Sequence, residues 1–169
     1  MPRIDFVTGN AQRYLPDVET LAAIPDRVEA LLAGRSSAEL RRAPAAGDDH
    51  DAPEEEWSPA RIIGHLISYA RHYRERLHLM AWMTDPVFVE YDDDQEARDN
   101  AWQSSDGARL LASLRDAIAA TVDVLKDLPD AAWGRAGIHP ASGRRSIRQQ
   151  LRLNLDHYDE HIAQLQRAF

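Results

Sequence analysis

Three histidines are the residues of this chain best suited to chemistry. His157 and His161 are four residues apart in a segment that predicts an amphipathic helix, and His65 lies beside the apolar stripe of an earlier helical segment. Residues four apart project from the same side of a helix, because one turn takes about 3.6 residues. Three imidazoles that meet at one point form a divalent metal site with an open position. The spacing therefore indicates a catalytic type of metal site, provided that the fold brings His65 to the pair.

The metal and the reaction class are only partly constrained by these residues. Neutral imidazole nitrogens bind zinc, nickel, manganese and iron, and we expect zinc or nickel, with manganese or iron as alternatives. Tyr158 follows His157 where HExxH metalloproteases have glutamate, which disfavours peptide hydrolysis of that type. The competing interpretation is a structural bundle whose histidines form hydrogen bonds in the core.

Helical periodicity dominates the chain and predicts an all-α, four-helix bundle. Apolar residues recur every three or four positions in four segments. Helix starts are indicated at Ser58-Pro59 and at Ser146, which has Gln149 three residues later. We expect Pro25 to kink or restart the first helix. The predicted helices cover residues 17–33, 59–83, 106–128 and 147–167, with a short extra helical turn at 36–40.

The remaining segments predict connections in a single domain over residues 1–169. Residues 85–100 lack a helical period and predict a long crossover, and residues 133–145 predict a turn-rich connection. Residues 43–56, rich in Pro, Ala, Gly and Asp, predict a mobile acidic loop. The acidic stretches 48–56 and 90–99 are interpreted as solvated loops, with a lid near a site as the alternative.

Charge and composition limit the partners. The net charge is −8, which disfavours nucleic acid and anionic lipid surfaces. No apolar run is long enough to span a membrane, and the first residues, MPRIDFVTGN, lack a secretory pattern, so we expect a cytoplasmic protein with a small-molecule substrate. The chain has no cysteine, so thiol chemistry requires a thiol brought by a substrate.

Two further side chains near the histidines are weaker candidates for contact with the substrate. Asn154 lies one turn before His157, and Tyr69 lies one turn after His65 on the predicted second helix. We interpret Tyr69 first as a core residue. His72 lies about 10 Å beyond His65 along that helix, at 1.5 Å per residue, which is too far to share one metal.

Three segments of the chain resemble the DinB-like superfamily. The second predicted helix carries EWSPARIIGHLISYARHYRERL, in which His65 follows a tryptophan by eight residues. The end of the chain carries GIHPASGRRSIRQQLRLNLDHYDEHIAQLQ, an HP turn and a glycine followed by a helix with two histidines four apart. With LLAGRSSAELRRAP near the start, the resemblance covers residues from about 17 to 167.

The resemblance implies a DinB/YfiT-like four-helix bundle, usually homodimeric, whose metal ligands are His65, His157 and His161. The superfamily includes transferases and isomerases that use low-molecular-weight thiols such as bacillithiol or mycothiol. We therefore expect S-transfer to a small electrophile, in which the metal lowers the pKa of a coordinated thiol. Hydrolysis by a metal-bound water and a noncatalytic metal-binding or stress-response bundle remain alternatives.

Overall fold

The apolar stripes of four helical segments meet in one core. The computed structural model describes residues 11–42 and 53–169. Its helices are α1 (Leu15–Ala22), α2 (Ile24–Leu32), α3 (Ser37–Leu40), α4 (Pro59–Trp82), α5 (Asp93–Asn100), α6 (Gly107–Asp127) and α7 (Ile147–Ala168). One antiparallel hairpin joins β1 (Ala136–His139) to β2 (Gly143–Ser146).

The four-helix bundle predicted from the periodicity is confirmed. Its first member is the pair α1 and α2, and the others are α4, α6 and α7; α4 packs against both α6 and α7. Leu21, Leu66, Leu114 and Tyr158, one from each member, are fully buried in the shared core. This packing places α4 and α7, which carry the three histidines, side by side.

Local signals explain where the long helices begin and break. Pro25 lies at the start of α2, and the chain bends between α1 and α2 at Ala23, because proline cannot donate the helical hydrogen bond at its position. Ser58 caps α4 by accepting a hydrogen bond from the Arg61 amide. Ser146 forms a reciprocal capping box with Gln149 at the start of α7.

The crossover between α4 and α6 contains a helix that the sequence analysis did not predict. Residues 93–100 form α5, capped by Asp92, which accepts from the Gln95 amide. In this helix only Ala97 is buried, so no apolar period marks it; the cap and three acidic residues near the positive end of the helix dipole favour it instead. This short helix forms the second half of the crossover predicted at 85–100, a segment without an apolar helical period.

Trp102 packs the crossover against α4 of the bundle. Its buried ring packs against Gly64 of α4, where an added Cβ would come within 2.3 Å of the ring, and its Nε1 donates to the Ser68 hydroxyl at 3.1 Å. The glycine thus permits a close approach that any side chain would prevent.

The connection before α7 is more ordered than predicted. Residues 130–134 form a 3-10 helix, and the hairpin of β1 and β2 follows, with Gly143, the first residue of β2, at φ +77°. Val87 of the crossover forms a parallel bridge with Ile138. Strands of four residues are too short to show an alternating pattern, which explains why only turns were predicted.

The predicted acidic loop falls largely outside the described part of the chain. Residues 43–52 of the interval 43–56 are not among the described residues, and Glu54–Glu56 form a 3-10 turn. The single-domain organisation over 1–169 stays a prediction. Among the described residues, no helix is both long and apolar enough to cross a membrane.

Candidate metal centre

The structure brings the three predicted ligands together. His65 projects from α4, and His157 and His161 project from adjacent turns of α7, with one ligand nitrogen of each within 4.8 Å of the others. The Nε2 atoms of His65 and His157 are 2.9 Å apart, and the His65 and His161 ring centroids are 4.5 Å apart. Within residues 11–42 and 53–169, no other group of three histidine or carboxylate side chains is arranged in this way.

Packing of the two helices fixes these positions. On α7, Leu151, Tyr158 and Leu165 are buried against the bundle, and the histidines lie beside this stripe, His161 almost fully buried and His157 partly so. On α4, Leu66 is fully buried next to the partly buried His65. The site therefore lies at the edge of the core, between hydrophobic packing and the surface.

The outer nitrogen of His161 is held by Gln164, one turn further along α7. Gln164 Oε1 lies 2.7 Å from His161 Nδ1, and the Gln164 amide nitrogen donates to the backbone carbonyl of Glu54. A carbonyl can only accept, so the amide is oriented with its oxygen towards the histidine, and Nδ1 carries the proton. Nε2 of His161 is left with its lone pair free for a metal.

The outer nitrogen of His65 faces a carboxylate. Asp93 Oδ1 of α5 lies 2.9 Å from His65 Nδ1. Burial alone would raise the pKa of Asp93, but the close contact with His65, with the positive charge of Arg61 nearby, holds that pKa below its usual value. The ionised carboxylate can only accept, which favours a proton on Nδ1 and leaves Nε2 of His65 free.

Trp57 forms one wall of the site. Its ring is nearly parallel to that of His161, at 6.3 Å between centroids and 5° between planes, and its centroid is 5.4 Å from that of His65. Trp57 is itself 8% exposed. A large apolar wall at this position shields the histidines from water.

The enclosed setting keeps two of the histidines neutral. Burial, reinforced by the neighbouring His161 and His65, lowers the pKa of His157 to about 3. Burial and His65 likewise lower the pKa of His161 to about 4, although its hydrogen bond to Gln164 acts in the opposite direction. Both rings are therefore unprotonated at neutral pH, as a metal requires of its ligands.

The donor set fits a divalent metal. Two nitrogens on one tetrahedral metal at about 2.0–2.1 Å are about 3.3 Å apart, and the nitrogens here are 2.9 Å apart for one pair and within 4.8 Å for all. Two of the rings have their other nitrogen beside a protein oxygen, which is the usual support of metal-binding histidines. To hold one ion, the closest pair of nitrogens would move apart by about 0.4 Å, and the widest separation would close by up to about 1.5 Å.

The two weaker candidates are placed beside the site, where they contact each other. The Tyr69 hydroxyl donates to Asn154 Oδ1 at 2.5 Å, and the Gln150 amide donates to the same oxygen at 3.0 Å. The Tyr69 ring packs on His157 at 4.1 Å between centroids. Burial raises the pKa of Tyr69 to about 12, so it stays a neutral donor. Both residues are suited to supporting His157, and a direct role in chemistry stays a prediction.

His72 lies outside the cluster, as its distance along α4 predicts. Its ring stacks on Tyr91 at 3.7 Å between centroids and lies 3.4 Å from Glu96 and 3.5 Å from Glu75. These contacts give it polar and aromatic partners away from the metal ligands.

Sequence reasoning missed three residues that surround the histidines, namely Trp57, Asp93 and Gln164. Gln164 follows His161 by three residues, a spacing that places both on one helix face and was available as a signal. Asp93 gave no such signal, because its approach to His65 depends on how the crossover folds back. The interpretation of 90–99 as a solvated loop does not hold at Asp93, whose side chain is 23% exposed and contacts His65.

A surface depression opens onto His161 and is lined also by Glu54, Glu160, Gln164 and Arg167. Glu54 Oε1 lies 3.8 Å from His161 Nε2. A larger depression, between α2, α3 and the start of α6, contains none of the three histidines. Size alone therefore does not identify the candidate site, and the smaller depression is the one of these two that reaches a candidate ligand, His161.

Comparisons with known proteins bear on the family and on the fold. A model of the DinB superfamily matches residues 20–165. The fold is similar to that of YfiT from Bacillus subtilis, described as a probable metal-dependent hydrolase with an unusual four-helix bundle topology, with a TM-score of 0.78 and 17% identity. That similarity covers 99% of this chain and 90% of YfiT; at this identity it establishes the fold alone. No curated protein matches the sequence.

Proposed function

Because the chain belongs to the DinB superfamily, we propose that it is a metal-dependent enzyme that activates a nucleophile for attack on a small electrophilic substrate. The observation that carries this proposal is the convergence of His65, His157 and His161, with one ligand nitrogen of each within 4.8 Å of the others. A divalent metal with an open position lowers the pKa of a water or thiol that binds it.

The surrounding residues have separate tasks in this proposal. His65, His157 and His161 would hold the metal, and Gln164 would keep His161 turned towards it. Trp57 excludes water from one side. Substrate approaches through the depression at His161, where the exposed carboxylate of Glu54 is available to accept a proton.

S-transfer is the reaction that we propose first. A low-molecular-weight thiol would be the co-substrate, since the chain has no cysteine of its own. Its sulfur would form a bond to an electrophilic carbon of the substrate while the bond from that carbon to its leaving group breaks. The leaving group would depart with the bonding electron pair, and the thiol proton would pass to a base in the depression. This choice rests on the resemblance to thiol-dependent members of the superfamily.

Hydrolysis is the second candidate, and the similarity to YfiT favours it. The same three ligands would serve, with water as the nucleophile in place of a thiol. Zinc or nickel remains the expected metal, with manganese or iron as alternatives. The homodimer and the cytoplasmic location also stay predictions.

Metal binding is the first test. Protein purified without an affinity tag is reconstituted with zinc or nickel, and the bound metal is measured by mass spectrometry. We expect about one equivalent for the wild type and for the control His72→Ala, and a large loss for His65→Ala, His157→Ala and His161→Ala. Binding of less than about a tenth of an equivalent by the wild type, or unchanged affinity in His65→Ala, would contradict the proposal.

The reaction class is tested next with the metal-loaded protein. Bacillithiol, mycothiol and glutathione are each offered with a panel of electrophiles, and a parallel panel of esters and amides is offered with water alone. A thiol adduct detected by mass spectrometry supports transfer, and thiol-independent cleavage supports hydrolysis. If the metal-loaded protein forms neither product, the noncatalytic alternative is favoured.

A further inference from the structure

Asp93 connects a candidate metal ligand to a buried cation. One carboxylate oxygen, Oδ1, lies 2.9 Å from His65 Nδ1, and the other, Oδ2, accepts from Arg61 Nη2 at 3.1 Å. The side chain is 23% exposed and Arg61 is fully buried. Asp93 Oδ1 and His65 Nδ1 are both buried and form no hydrogen bond of good geometry with any atom of the described residues, so they face only each other, while the bond from Arg61 to Oδ2 restricts rotation of the carboxylate.

The buried guanidinium of Arg61 is held in place by several partners. A guanidinium removed from water needs several partners to compensate for its lost hydration. Its partners here are the carboxylates of Asp93 and Asp94, at 3.1 and 2.8 Å, the Asp93 carbonyl at 3.2 Å, and the face of the Trp57 ring at 4.7 Å. Arg61 lies on α4, one turn before His65, so its contacts hold the start of α5 beside His65.

We propose that Asp93 is a positioning residue of the metal centre: its carboxylate, fixed by Arg61, orients His65 so that Nε2 faces His157 and His161. The inference rests on the proposed metal site and adds the device that prepares one of its ligands. A histidine whose Nδ1 donates to a carboxylate is fixed in tautomer and ring orientation, and its Nε2 becomes a stronger ligand.

The arrangement also gives the acidic crossover a role. His161 is supported from within its own helix by Gln164, whereas His65 is supported by a residue 28 positions further along the chain. Docking of α5 onto α4 is therefore needed to complete this side of the site. Asp94 shares the contact with Arg61, but its side chain is half exposed.

Asp94 provides a matched control for the test. Both Asp93→Asn and Asp94→Asn remove one carboxylate from Arg61, but only the first removes the charge beside His65. Zinc affinity is measured by competition with a chelator in the wild type, Asp93→Asn, Asp93→Ala and Asp94→Asn. We expect an affinity loss of about 10- to 100-fold in Asp93→Ala, a smaller loss in Asp93→Asn, and a change of less than about twofold in Asp94→Asn.

A second readout does not depend on the metal. In the metal-free wild type, ¹⁵N–¹H correlation spectra should show His65 with its proton on Nδ1, and both Asp93 variants should shift that ring towards a mixture of tautomers. Thermal unfolding of each metal-free variant shows whether it is folded. If Asp93→Ala does not fold, the isosteric Asp93→Asn decides the question with the same two measurements.

Two outcomes would overturn the positioning role while leaving the proposed function intact. One is zinc affinity in the Asp93 variants within about twofold of the wild type. The other is an equal loss in the Asp93 and Asp94 variants, because the carboxylates would then serve only to dock α5. A wild-type protein that binds no zinc would overturn both the inference and the proposed function.

Discussion

Metal binding at pH 6 should release few protons from His157 and His161. Burial lowers their pKa values to about 3 and about 4. At these values the two rings together carry about 0.01 proton at pH 6, whereas two histidines with the ordinary pKa of about 6.5 would carry about 1.5. His65 can contribute at most one proton, and a bound water with a pKa near 7 about 0.1. The expected release is therefore about 1.1 protons or fewer.

The perturbation is the addition of zinc to the metal-free protein, followed by isothermal titration calorimetry at pH 6. The titration is repeated in three buffers with different ionisation enthalpies, and the slope of the observed enthalpy against the buffer enthalpy gives the number of protons released. His72→Ala is the control, and its slope should equal that of the wild type, since His72 lies outside the cluster.

A release of roughly two protons or more would refute this reasoning. Three histidines in ordinary solvent surroundings would release about 2.3 protons at pH 6. Such a value would mean that the rings are hydrated and protonated before the metal binds, and that burial between α4 and α7 does not control their charge.

Three further predictions concern stability. The unfolded chain should bind more protons than the folded chain between about pH 4 and 6.5, because the pKa values of His157 and His161 are lowered on folding. The free energy of unfolding of the metal-free protein, measured by urea titration, should therefore fall as the pH falls through this range. It should fall less in the double variant His157→Ala, His161→Ala. Gly64→Ala should lower the free energy of unfolding by about 1–3 kcal/mol or more, since the added Cβ would come within 2.3 Å of Trp102. Gly134→Ala is the control, because its added Cβ meets no atom within 4 Å, and denaturant unfolding should show a change within about 0.5 kcal/mol. Ser146→Ala should cost about 1 kcal/mol by removing the cap of α7, and an unchanged denaturation midpoint would argue against the capping box.

Much of the bundle could be predicted because its signals are local. The apolar stripes of α4, α6 and α7, the cap at Ser146 and the break at Pro25 each depend on residues within a few positions of one another. The elements that were missed, α5 and the hairpin of β1 and β2, are short, and neither α5 nor β2 buries more than one residue, so burial imposes no clear period on their sequences. Their conformations are decided by caps, turns and contacts with distant segments.

One part of the candidate metal site could also be predicted from local sequence, and another part could not. The sequence by itself determined that His157 and His161 share one face of a helix, since four residues make slightly more than one turn. It also placed His65 beside a buried stripe, and the family resemblance joined it to the pair. Only the tertiary structure decided that α4 and α7 bring the three rings within reach of one ion. The support of His65 by Asp93 and Arg61 likewise depends on the crossover folding back onto α4, because contacts between residues 28 and 32 positions apart are set by packing and leave no local pattern in the chain.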